Sequence, residues 1–387
     1  MIITGVEITT VALPEHRVFR YRGGTIANKR VIVKLHTDSG LKGIGEATPI
    51  PTDWGHDYET IHLSIRRFIE PALLGMNPFH VEDIWQRLAG IVSIDQITQS
   101  LLIERAGVDV ALYDLMGRAA GIPVHSLLGG AAFAKIPVAA VISLETPEVM
   151  AEIALAAQNA GYFDFKIKVG TEPQLDIARV QHIREVLGPS VQIRVDANGG
   201  WTPTEAVKLI RAMERFDLEL VEQPVAGWDI SGLAFVRRKV DTPIMVDESL
   251  HSVQDALTLV QAEACDFFNI KVQRLGGLTP ARKILHIAQA AGIRCMLGGE
   301  LESGVGTAAG LHLMAASNLF TIPGDLIGPL HFSDDILTKP FSVETGYLTV
   351  PTGPGLGVEL DAKKMAHYAV LQSDAQVESQ SASQEGA

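Results

Sequence analysis

Hydrophobic and polar positions follow two different rhythms along the chain, and the first covers residues 1–130. Apolar and polar residues alternate there as in half-buried strands over residues 1–13, 30–36 and 41–46. The turn Thr37-Asp-Ser-Gly40 is typical of a hairpin between the last two. Apolar residues at helical spacing follow over about 57–73, 80–90 and 97–121. This portion predicts an α+β domain.

The second rhythm begins near residue 136, where short β-branched runs alternate with amphipathic helical stretches. Seven predicted strands cover residues 138–143, 163–169, 191–196, 218–222, 244–247, 267–271 and 294–297, and an eighth lies near 321–326. Helical patterns separate them, as at 202–216, where Thr202 is a typical N-cap and Pro203 a typical first helical residue. Eight such units over residues 131–330 favour a (β/α)8-type barrel, although a doubly wound open sheet shares this rhythm.

The chain after the eighth predicted strand shows no clear closing helix. Residues 331–371 contain strand-like pieces at 341–343 and 347–350 and several Gly-Pro turns, so we expect them to return to the N-terminal domain. Residues 372–387 consist mainly of Ser, Gln, Glu and Ala with almost no apolar content, which predicts disorder.

Composition and charge narrow the class of function. The formal net charge is −13 and no cluster of basic residues occurs, which argues against nucleic-acid binding. The two cysteines, Cys265 and Cys295, lie in apolar segments and offer neither a CxxC metal site nor a disulfide framework. Glu7 interrupts the N-terminal strand pattern, no basic segment precedes it, and no apolar run approaches the roughly 20 residues that span a bilayer. We therefore expect a cytoplasmic protein without a membrane partner.

Three carboxylates end three consecutive predicted barrel strands. Asp196, Glu222 and Asp247 lie 26 and 25 residues apart, about one β/α unit each, and the carboxyl ends of barrel strands face the active site. Carboxylates converging there without a cation would repel one another. Their hard oxygen ligands suit Mg²⁺, with Mn²⁺ as an alternative. The competing interpretation is that each acid only caps the next helix.

Lysines stand at two further strand ends. Lys166 and Lys168 lie on the same side of predicted strand two, and Lys271 ends strand six, which is opposite strand two in an eight-stranded barrel. A lysine of strand two and Lys271 could thus approach one substrate carbon from opposite faces. An ammonium of pKa about 10.4 is a poor base, and the charge of Lys166 offers a cause for lowering the pKa of Lys168. Alternatively, these lysines only pair with the acids.

Metal and lysines together suit removal of a proton next to a carboxylate. That proton is weakly acidic because its loss adds a second negative charge to an anion. A divalent cation on the carboxylate oxygens stabilises the enediolate, and lysine takes or returns the proton. The expected substrate is therefore a small carboxylate.

These motifs resemble those of the enolase superfamily, in its muconate lactonizing enzyme subgroup, over about residues 1–370. The matching pieces are Lys166-Ile-Lys168, Asp196-Ala-Asn198, Glu222-Gln-Pro224, Asp247-Glu-Ser249, Lys271 and the stretch 299–307. The resemblance implies a modified (β/α)7β barrel under an α+β capping domain that C-terminal segments complete. It assigns Mg²⁺ to Asp196, Glu222 and Asp247, and acid/base roles to Lys168 and Lys271. It implies substrate contact for Lys166 and Asn198, and a homo-oligomer.

The resemblance also bears on the substrate. Glu302 and Asp325 resemble the acids at strands seven and eight, as substrate contacts or as caps. No histidine ends strand seven, which disfavours a mandelate racemase-like member, and Asp325-Leu-Ile327 lacks the second acid of dipeptide epimerases. Specificity is expected in two cap loops, residues 14–25 and 48–56. The side chains considered in them are Arg17, Arg20, Tyr21, Arg22, Trp54 and His56.

Several activities fit these motifs. A muconate cycloisomerase-type isomerase or lyase comes first, and a racemase or epimerase of an amino-acid derivative or a dehydratase of a small hydroxy acid are alternatives. A barrel that only binds ligands and a Schiff-base aldolase using one lysine are hypotheses from other classes.

Overall fold

An antiparallel sheet forms one layer of the N-terminal domain in the computed structural model, which describes residues 1–25, 28–50, 56–91, 101–130 and 132–370. The strands of this domain are β1 (Ile3–Ala12), β2 (Arg20–Tyr21), β3 (Gly24–Thr25), β4 (Lys29–Thr37) and β5 (Lys42–Ala47). The main sheet has the order β1-β4-β5, and β2 pairs with β3 in a small ribbon. The predicted hairpin between β4 and β5 is confirmed.

Helices form the second layer of this domain. They are Tyr58–Ser64, the π-helical turn Ile65–Ile69, Glu70–Leu73, Val81–Gly90, Leu102–Ala120 and Val124–Leu127. The long helix Leu102–Ala120 packs directly on β5, where a Cβ added at Gly45 would lie 2.0 Å from the backbone oxygen of Gly107. Glycine is therefore required for this contact. The predicted helix over 97–121 begins at Leu102, and positions 97–100 lie outside the described residues.

Seven parallel strands in chain order form the curved sheet of the second domain. After a short β6 (Lys135–Pro137) they are β7 (Ala140–Ile142), β8 (Asp164–Lys168), β9 (Gln192–Asp196), β10 (Leu220–Glu222), β11 (Ile244–Val246), β12 (Phe267–Ile270) and β13 (Arg294–Leu297). Neighbours in this sheet are neighbours in sequence, from β7 to β13. A doubly wound sheet would reverse its strand order, so the prediction of a barrel is confirmed.

Helices follow each strand of the barrel. They are Pro147–Asn159, Pro173–Leu187, Pro203–Met213 with the 3₁₀ turn Glu214–Phe216, Ile230–Arg237, Val253–Gln261, Val272–Leu275, Leu278–Ala291, Gly304–Ala315 and Gly328–His331. The predicted N-cap at Thr202 forms a full capping box with Glu205. Cys265 and Cys295 are buried core residues, as expected. No helix among the described residues is long and apolar enough to cross a membrane.

The eighth predicted strand, near 321–326, differs from a regular strand. It is reduced to isolated parallel bridges, from Phe320 to Cys295 and from Gly324 to Val138. Pro323 has no N–H to donate, which interrupts a continuous ladder. The segment nevertheless bonds to the edge strand β13 and to the residues just before the other edge strand, β7, since Asp325 N donates to Leu297 O at 2.8 Å and Ala139 N donates to Gly324 O at 2.9 Å. It therefore closes the barrel.

The C-terminal residues return to the N-terminal domain. Strand β14 (Tyr347–Thr349) pairs with β6, whereas the predicted strand at 341–343 is wrong, because that segment makes no ladder. Leu356 N donates to Asp114 Oδ1 at 2.7 Å. Beyond the last helix, Ala362–Tyr368, Val370 N donates to the backbone oxygen of Thr10 at 2.8 Å. These segments complete the cap. The exact domain bounds stay predictions, and the tail 372–387 lies outside the described residues.

Candidate active site

One cavity lies at the carboxyl ends of the barrel strands and beneath the cap. Charged and polar side chains from five strand ends meet apolar side chains from the cap loop and the strand-eight segment. The lining residues are Phe19, Tyr21, Val141, Lys166, Lys168, Asn198, Lys271, Arg274, Gly299, Glu300, Leu301, Asp325 and Ile327. This one cavity is therefore lined by both predicted acid/base lysines and by three of the four predicted substrate contacts.

Lys168 and Lys271 reach this cavity from opposite parts of the sheet. Lys168 is the last residue of β8, and Lys271 directly follows β12, four strands further along. Each ammonium contacts one predicted metal ligand: Lys168 Nζ lies 2.6 Å from Asp196 Oδ2, and Lys271 Nζ lies 2.9 Å from Asp247 Oδ2. Only 9% of Lys168 and 8% of Lys271 is exposed. The two amines thus occupy equivalent positions on two walls.

The third lysine, Lys166, lies between carboxylates. Its Nζ is 3.0 Å from Asp196 Oδ2, 2.7 Å from Glu222 Oε2 and 2.9 Å from Asp325 Oδ2. Burial opposes its charge, but these carboxylates hold the pKa of Lys166 well above its usual value. Burial likewise opposes the charge of Asp196, yet Lys166 and Lys168 hold the pKa of Asp196 well below its usual range.

Glu222 carries charge that its neighbours do not balance. Burial and the nearby carboxylate of Asp196 raise the pKa of Glu222 to about 8, even with Lys166 beside it. Glu222 Oε1 accepts a hydrogen bond from Asn269 Nδ2 at 2.9 Å, whereas Oε2 is buried without a hydrogen-bond donor in suitable geometry. A buried carboxylate oxygen is costly unless a cation offsets its charge, and here that cation is the Lys166 ammonium, 2.7 Å from Oε2.

The predicted metal ligands are only partly assembled. Asp196 and Glu222 share one cation, the Lys166 ammonium, whereas Asp247 turns to Lys271 and Arg274. Among residues 1–25, 28–50, 56–91, 101–130 and 132–370, no group of three or more His, Cys, Asp or Glu side chains is arranged to hold a metal ion. The chemistry still fits Mg²⁺, because the donors are carboxylate oxygens and Glu222 Oε2 contacts the cation of Lys166 without a hydrogen bond of suitable geometry. A divalent ion would compete there with Lys166.

Two side chains that the sequence interpretation missed complete the wall around Lys271. Glu300 Oε1 lies 3.0 Å from Lys271 Nζ and accepts a hydrogen bond from Arg274 Nη2 at 2.8 Å. Arg274 Nη1 also donates to Asp247 Oδ1 at 3.1 Å. Burial opposes the charge of Asp247, but Arg274 and Lys271 lower the pKa of Asp247 to about 2. The sequence spacing could have identified Arg274, because this residue follows Lys271 by about one helical turn.

Asp325 anchors the strand-eight side of the cavity. Its Oδ2 accepts from Lys166, and its Oδ1 accepts from Arg194 Nη2 at 2.6 Å. Arg194 is fully buried in β9 and also pairs with Asp164 at the start of β8. Burial is the main cause that raises the pKa of Asp164 to about 7. Asp325 is therefore fixed from inside the barrel.

Asn198 helps to hold Lys168 in position. It adopts a left-handed backbone conformation, φ 43°, two residues after Asp196. Its Oδ1 accepts from Lys168 Nζ at 3.1 Å, and its Nδ2 donates to Glu248 Oε1 at 2.9 Å. Burial and the charge of Asp247 raise the pKa of Glu248 to about 7.

Glu302 is the predicted substrate contact that does not line the cavity, and the predicted metal ligands Asp196, Glu222 and Asp247 are also not part of its lining. Glu302 is buried, and burial and the charge of Glu46 raise its pKa to about 7. Its role as a substrate contact stays a prediction.

The two predicted specificity loops lie differently with respect to the cavity. From the first, Phe19 and Tyr21 line it, and the ring of Tyr21 lies 5.6 Å from Lys168 Nζ. The other side chains considered there do not line it: Arg20 pairs with Glu145 at 2.6 Å. Arg22 donates to the backbone oxygen of Asn198 at 3.5 Å. In the second loop, His56 lies 3.2 Å from Glu104, which raises the pKa of His56, and Trp54 lies outside the described residues.

Comparisons with known proteins agree with this architecture along nearly the whole chain. A mandelate racemase / muconate lactonizing enzyme N-terminal domain model matches residues 3–129, and an enolase C-terminal domain-like model matches residues 148–364. The N-succinyl-L-Arg/Lys racemase of Bacillus cereus is 33% identical over 96% of this chain and 99% of its own length. The L-Ala-D/L-Glu epimerase of Clostridium acetobutylicum is 36% identical over 93% of this chain and 99% of its own.

A solved structure extends the likeness to a third activity. The crystal structure of 2-chloromuconate cycloisomerase from Rhodococcus opacus has a TM-score of 0.91 and 32% identity, covering 96% of this chain and 100% of that one. The chain is thus similar along nearly its whole length to a racemase, an epimerase and a cycloisomerase. The chain therefore belongs to the enolase superfamily, in its muconate lactonizing enzyme-like subgroup, and is an enzyme of the isomerase or lyase type.

Proposed function

We propose that this protein is a Mg²⁺-dependent racemase or epimerase that exchanges the α-proton of an N-acylated amino-acid derivative. The observation that carries the proposal is the pair of lysines, Lys168 and Lys271, in one cavity. Each amine contacts one of the acidic strand ends, Asp196 or Asp247. Inversion at one carbon needs a base on one face and an acid on the other, and this arrangement supplies both.

The lysines would divide the proton transfer between them. The amine facing the α-proton, in its neutral form, takes that proton at Nζ. The opposite lysine, in its ammonium form, gives a proton from its own Nζ to the other face of the same carbon. The number of protons on the enzyme is unchanged and the configuration is inverted. Because either lysine can act as the base or as the acid, the same site would catalyse inversion in both directions.

Asp196, Glu222 and Asp247 are the proposed ligands of Mg²⁺. Enzymes of this superfamily use a divalent metal, typically Mg²⁺. When bound, the ion supplies positive charge that offsets the negative charge placed on the substrate carboxylate as the α-proton leaves. Lys166 adds further positive charge beside these ligands and is our proposed contact for the substrate carboxylate. Asn198 holds Lys168 through the hydrogen bond from Nζ to Oδ1.

The strand-eight wall of the cavity supports an acylated rather than a free amine. Ile327, two residues after Asp325, lines the cavity with an apolar side chain. Asp325 itself is already bonded to Lys166 and Arg194. A substrate ammonium would thus find no additional carboxylate at this wall, whereas an amide needs none. Phe19 and Tyr21 offer aromatic surface for the remaining part of the substrate.

Cycloisomerisation of a muconate-like diacid is a second candidate. It is favoured by the likeness to 2-chloromuconate cycloisomerase, whose structure this chain matches along its length. That reaction needs only one of the two lysines as acid or base. Racemisation uses both lysines, and it is the first candidate because both amines occupy the cavity.

Proton exchange in D₂O tests the proposal. We expect the protein with Mg²⁺ to replace the α-proton of N-succinyl-L-arginine or N-succinyl-L-lysine with deuterium and to form the opposite enantiomer, as followed by NMR and polarimetry. Lys168→Ala should abolish exchange from one enantiomer, and Lys271→Ala should abolish exchange from the other. Exchange without inversion would refute racemisation. Lactone formation from cis,cis-muconate, with no exchange on either amino acid, would replace the proposal with the second candidate.

A further inference from the structure

We propose that Arg30 and Glu46, two buried residues of the cap, are positioning residues that hold Lys271 in place for its half of the reaction. The inference rests on the proposed two-lysine function. Neither residue lines the cavity, and both act through the segment 299–303, which follows β13 and carries Glu300 and Leu301 into it.

The segment turns sharply at Leu301. This residue has φ 58°, a left-handed conformation that costs a residue with a branched side chain of this size about 1 kcal/mol or more. Arg30 holds the turn from the cap side: its Nε and Nη2 donate to the backbone oxygen of Leu301 at 2.7 and 2.5 Å. Both residues are buried, with Arg30 0% and Leu301 1% exposed. A fork of two donors on one carbonyl fixes the orientation of that peptide group.

Glu46 holds the far end of the same turn. Its Oε1 accepts from Ser303 N at 2.9 Å, and its Oε2 accepts from Ser303 Oγ at 2.6 Å and from Gly306 N at 3.0 Å. These donors belong to the start of the helix Gly304–Ala315, where backbone N–H groups lack partners within the helix. The cap thus supplies the carboxylate that this barrel helix needs.

The turn determines where Glu300 lies, and Glu300 determines the position of Lys271. Glu300 precedes Leu301 directly, and its Oε1 is 3.0 Å from Lys271 Nζ. The other anion at that ammonium is Asp247, a proposed Mg²⁺ ligand. When Asp247 coordinates the Mg²⁺ ion, Glu300 is the main anion that holds Lys271 in position. A shift of the turn would therefore move Lys271 more than any other reacting group.

The opposite lysine has a separate support. Lys168 is held by Asp196 and Asn198, on strand β9 and directly after it. Among the described residues, the side chains bonded to Asp196 and Asn198 are Lys166 and Lys168 of β8, Glu248 after β11 and Arg22 of the cap loop, and none of these is Arg30, Glu46 or part of the segment 299–303. Loosening the turn should consequently impair one face of the substrate and spare the other.

The test compares proton exchange from the two enantiomers of N-succinylarginine in D₂O with Mg²⁺ bound. Lys271→Ala identifies the enantiomer that Lys271 serves. We expect Arg30→Gln and Glu46→Gln to slow exchange from that enantiomer at least tenfold relative to exchange from its mirror image. Arg30→Lys keeps the charge and one donor, so we expect it to slow exchange from that enantiomer less than Arg30→Gln does. It also provides a folded variant if Arg30→Gln is unstable. Equal losses for both enantiomers, or an unchanged ratio, would overturn the inference.

Arg118→Gln is the matched control. Arg118 is also a cap arginine that donates to a carbonyl, Val358 O, and to carboxylates, but it lies away from the cavity. We expect it to lower thermal stability without changing the ratio between enantiomers. Hydrogen exchange measured by mass spectrometry on the peptide 299–306 gives a readout free of any substrate. Faster exchange there in Arg30→Gln than in Arg118→Gln supports the inference, and equal protection overturns it. Absence of exchange from both enantiomers in the unmodified enzyme would instead refute the proposed function.

Discussion

Lys271 Nζ and Glu300 Oε1 lie 3.0 Å apart inside the cavity, in an ion pair that is almost fully buried. Burial and Arg274 oppose the positive charge of Lys271, but Asp247 and Glu300 together hold the pKa of Lys271 well above its usual value. Glu300 thereby affects both the position and the protonation of this amine.

Glu300→Gln should lower kcat for the direction in which Lys271 donates its proton by roughly 10- to 100-fold, because hydrogen bonds to charged groups contribute about 1.5–3 kcal/mol. The measurement is kcat in each direction by polarimetry. Glu185→Gln, on the outer face of the helix Pro173–Leu187, is the control and should leave both directions unchanged. A loss confined to the Lys168 direction would contradict this assignment.

Removal of divalent metal should abolish turnover and leave the fold intact. EDTA treatment is expected to stop α-proton exchange, and added Mg²⁺ should restore it, with the circular dichroism spectrum unchanged throughout. Asp196→Asn should weaken Mg²⁺ binding in calorimetry by at least about tenfold, because it removes one charged oxygen ligand. Full activity in EDTA would refute the assignment of the three carboxylates to an ion.

Lys166→Met should strengthen Mg²⁺ binding although it impairs catalysis. The Lys166 ammonium lies between Asp196 and Glu222, and removing a like charge a few ångströms from an ion favours that ion by at least about 1 kcal/mol. Titration calorimetry on the apo-protein measures the effect. Lys208→Met, on the exposed face of Pro203–Met213, is a control that should leave affinity unchanged. Weaker binding in Lys166→Met would show that Lys166 does not compete with the ion.

Arg194→Met should destabilise the protein by about 3–5 kcal/mol, because it leaves Asp164 buried without its cation and removes one of the two cations beside Asp325. Urea denaturation measures the free energy of unfolding. Arg237→Met provides the comparison, since Arg237 pairs with Asp266 near the surface, where such pairs contribute about 0–1 kcal/mol. Similar losses in both variants would contradict the importance of the buried network.

Acid should destabilise the contact between the cap and the helix Gly304–Ala315 through His312. Burial lowers the pKa of His312 to about 4. Its Nδ1 accepts from His125 N at 3.2 Å and its Nε2 donates to Leu356 O at 3.1 Å, so a second proton on the ring would face a donor. The unfolded chain binds that proton near pH 6.5 and the folded chain only near pH 4. Stability is therefore complete above pH 6.5 and falls as the pH drops towards 4.

His312→Gln tests this dependence. Between pH 7.5 and 5 we expect the variant to lose about 2 kcal/mol less stability than the parent protein, although it is less stable at neutral pH. Urea denaturation at the two pH values supplies the comparison. Parallel losses in both proteins would show that His312 does not contribute to the pH dependence.

Periodic patterns in the sequence predicted those features that depend on residues close together in the chain. Asp196, Glu222 and Asp247 were identifiable because β/α units repeat at regular spacing, and Lys166 with Lys168 because strand side chains alternate. The bonds from Arg30 to Leu301 join positions 271 residues apart, and no periodicity reports such a contact. Ile327 could be named from its motif, but only the fold shows that it lines the cavity. The strand predicted at 341–343 failed because three alternating residues carry no information about a pairing partner.

Both ends of the polypeptide contribute to one cap. Asp114 in its long helix bonds to Leu356, and Thr10 in its first strand bonds to Val370. During synthesis from the N-terminus the cap consequently lacks its last contacts until the whole barrel has been made. The barrel can therefore form before the cap is complete, and a truncated product ending near residue 340 would lack the bonds to Asp114 and Thr10 that complete the cap.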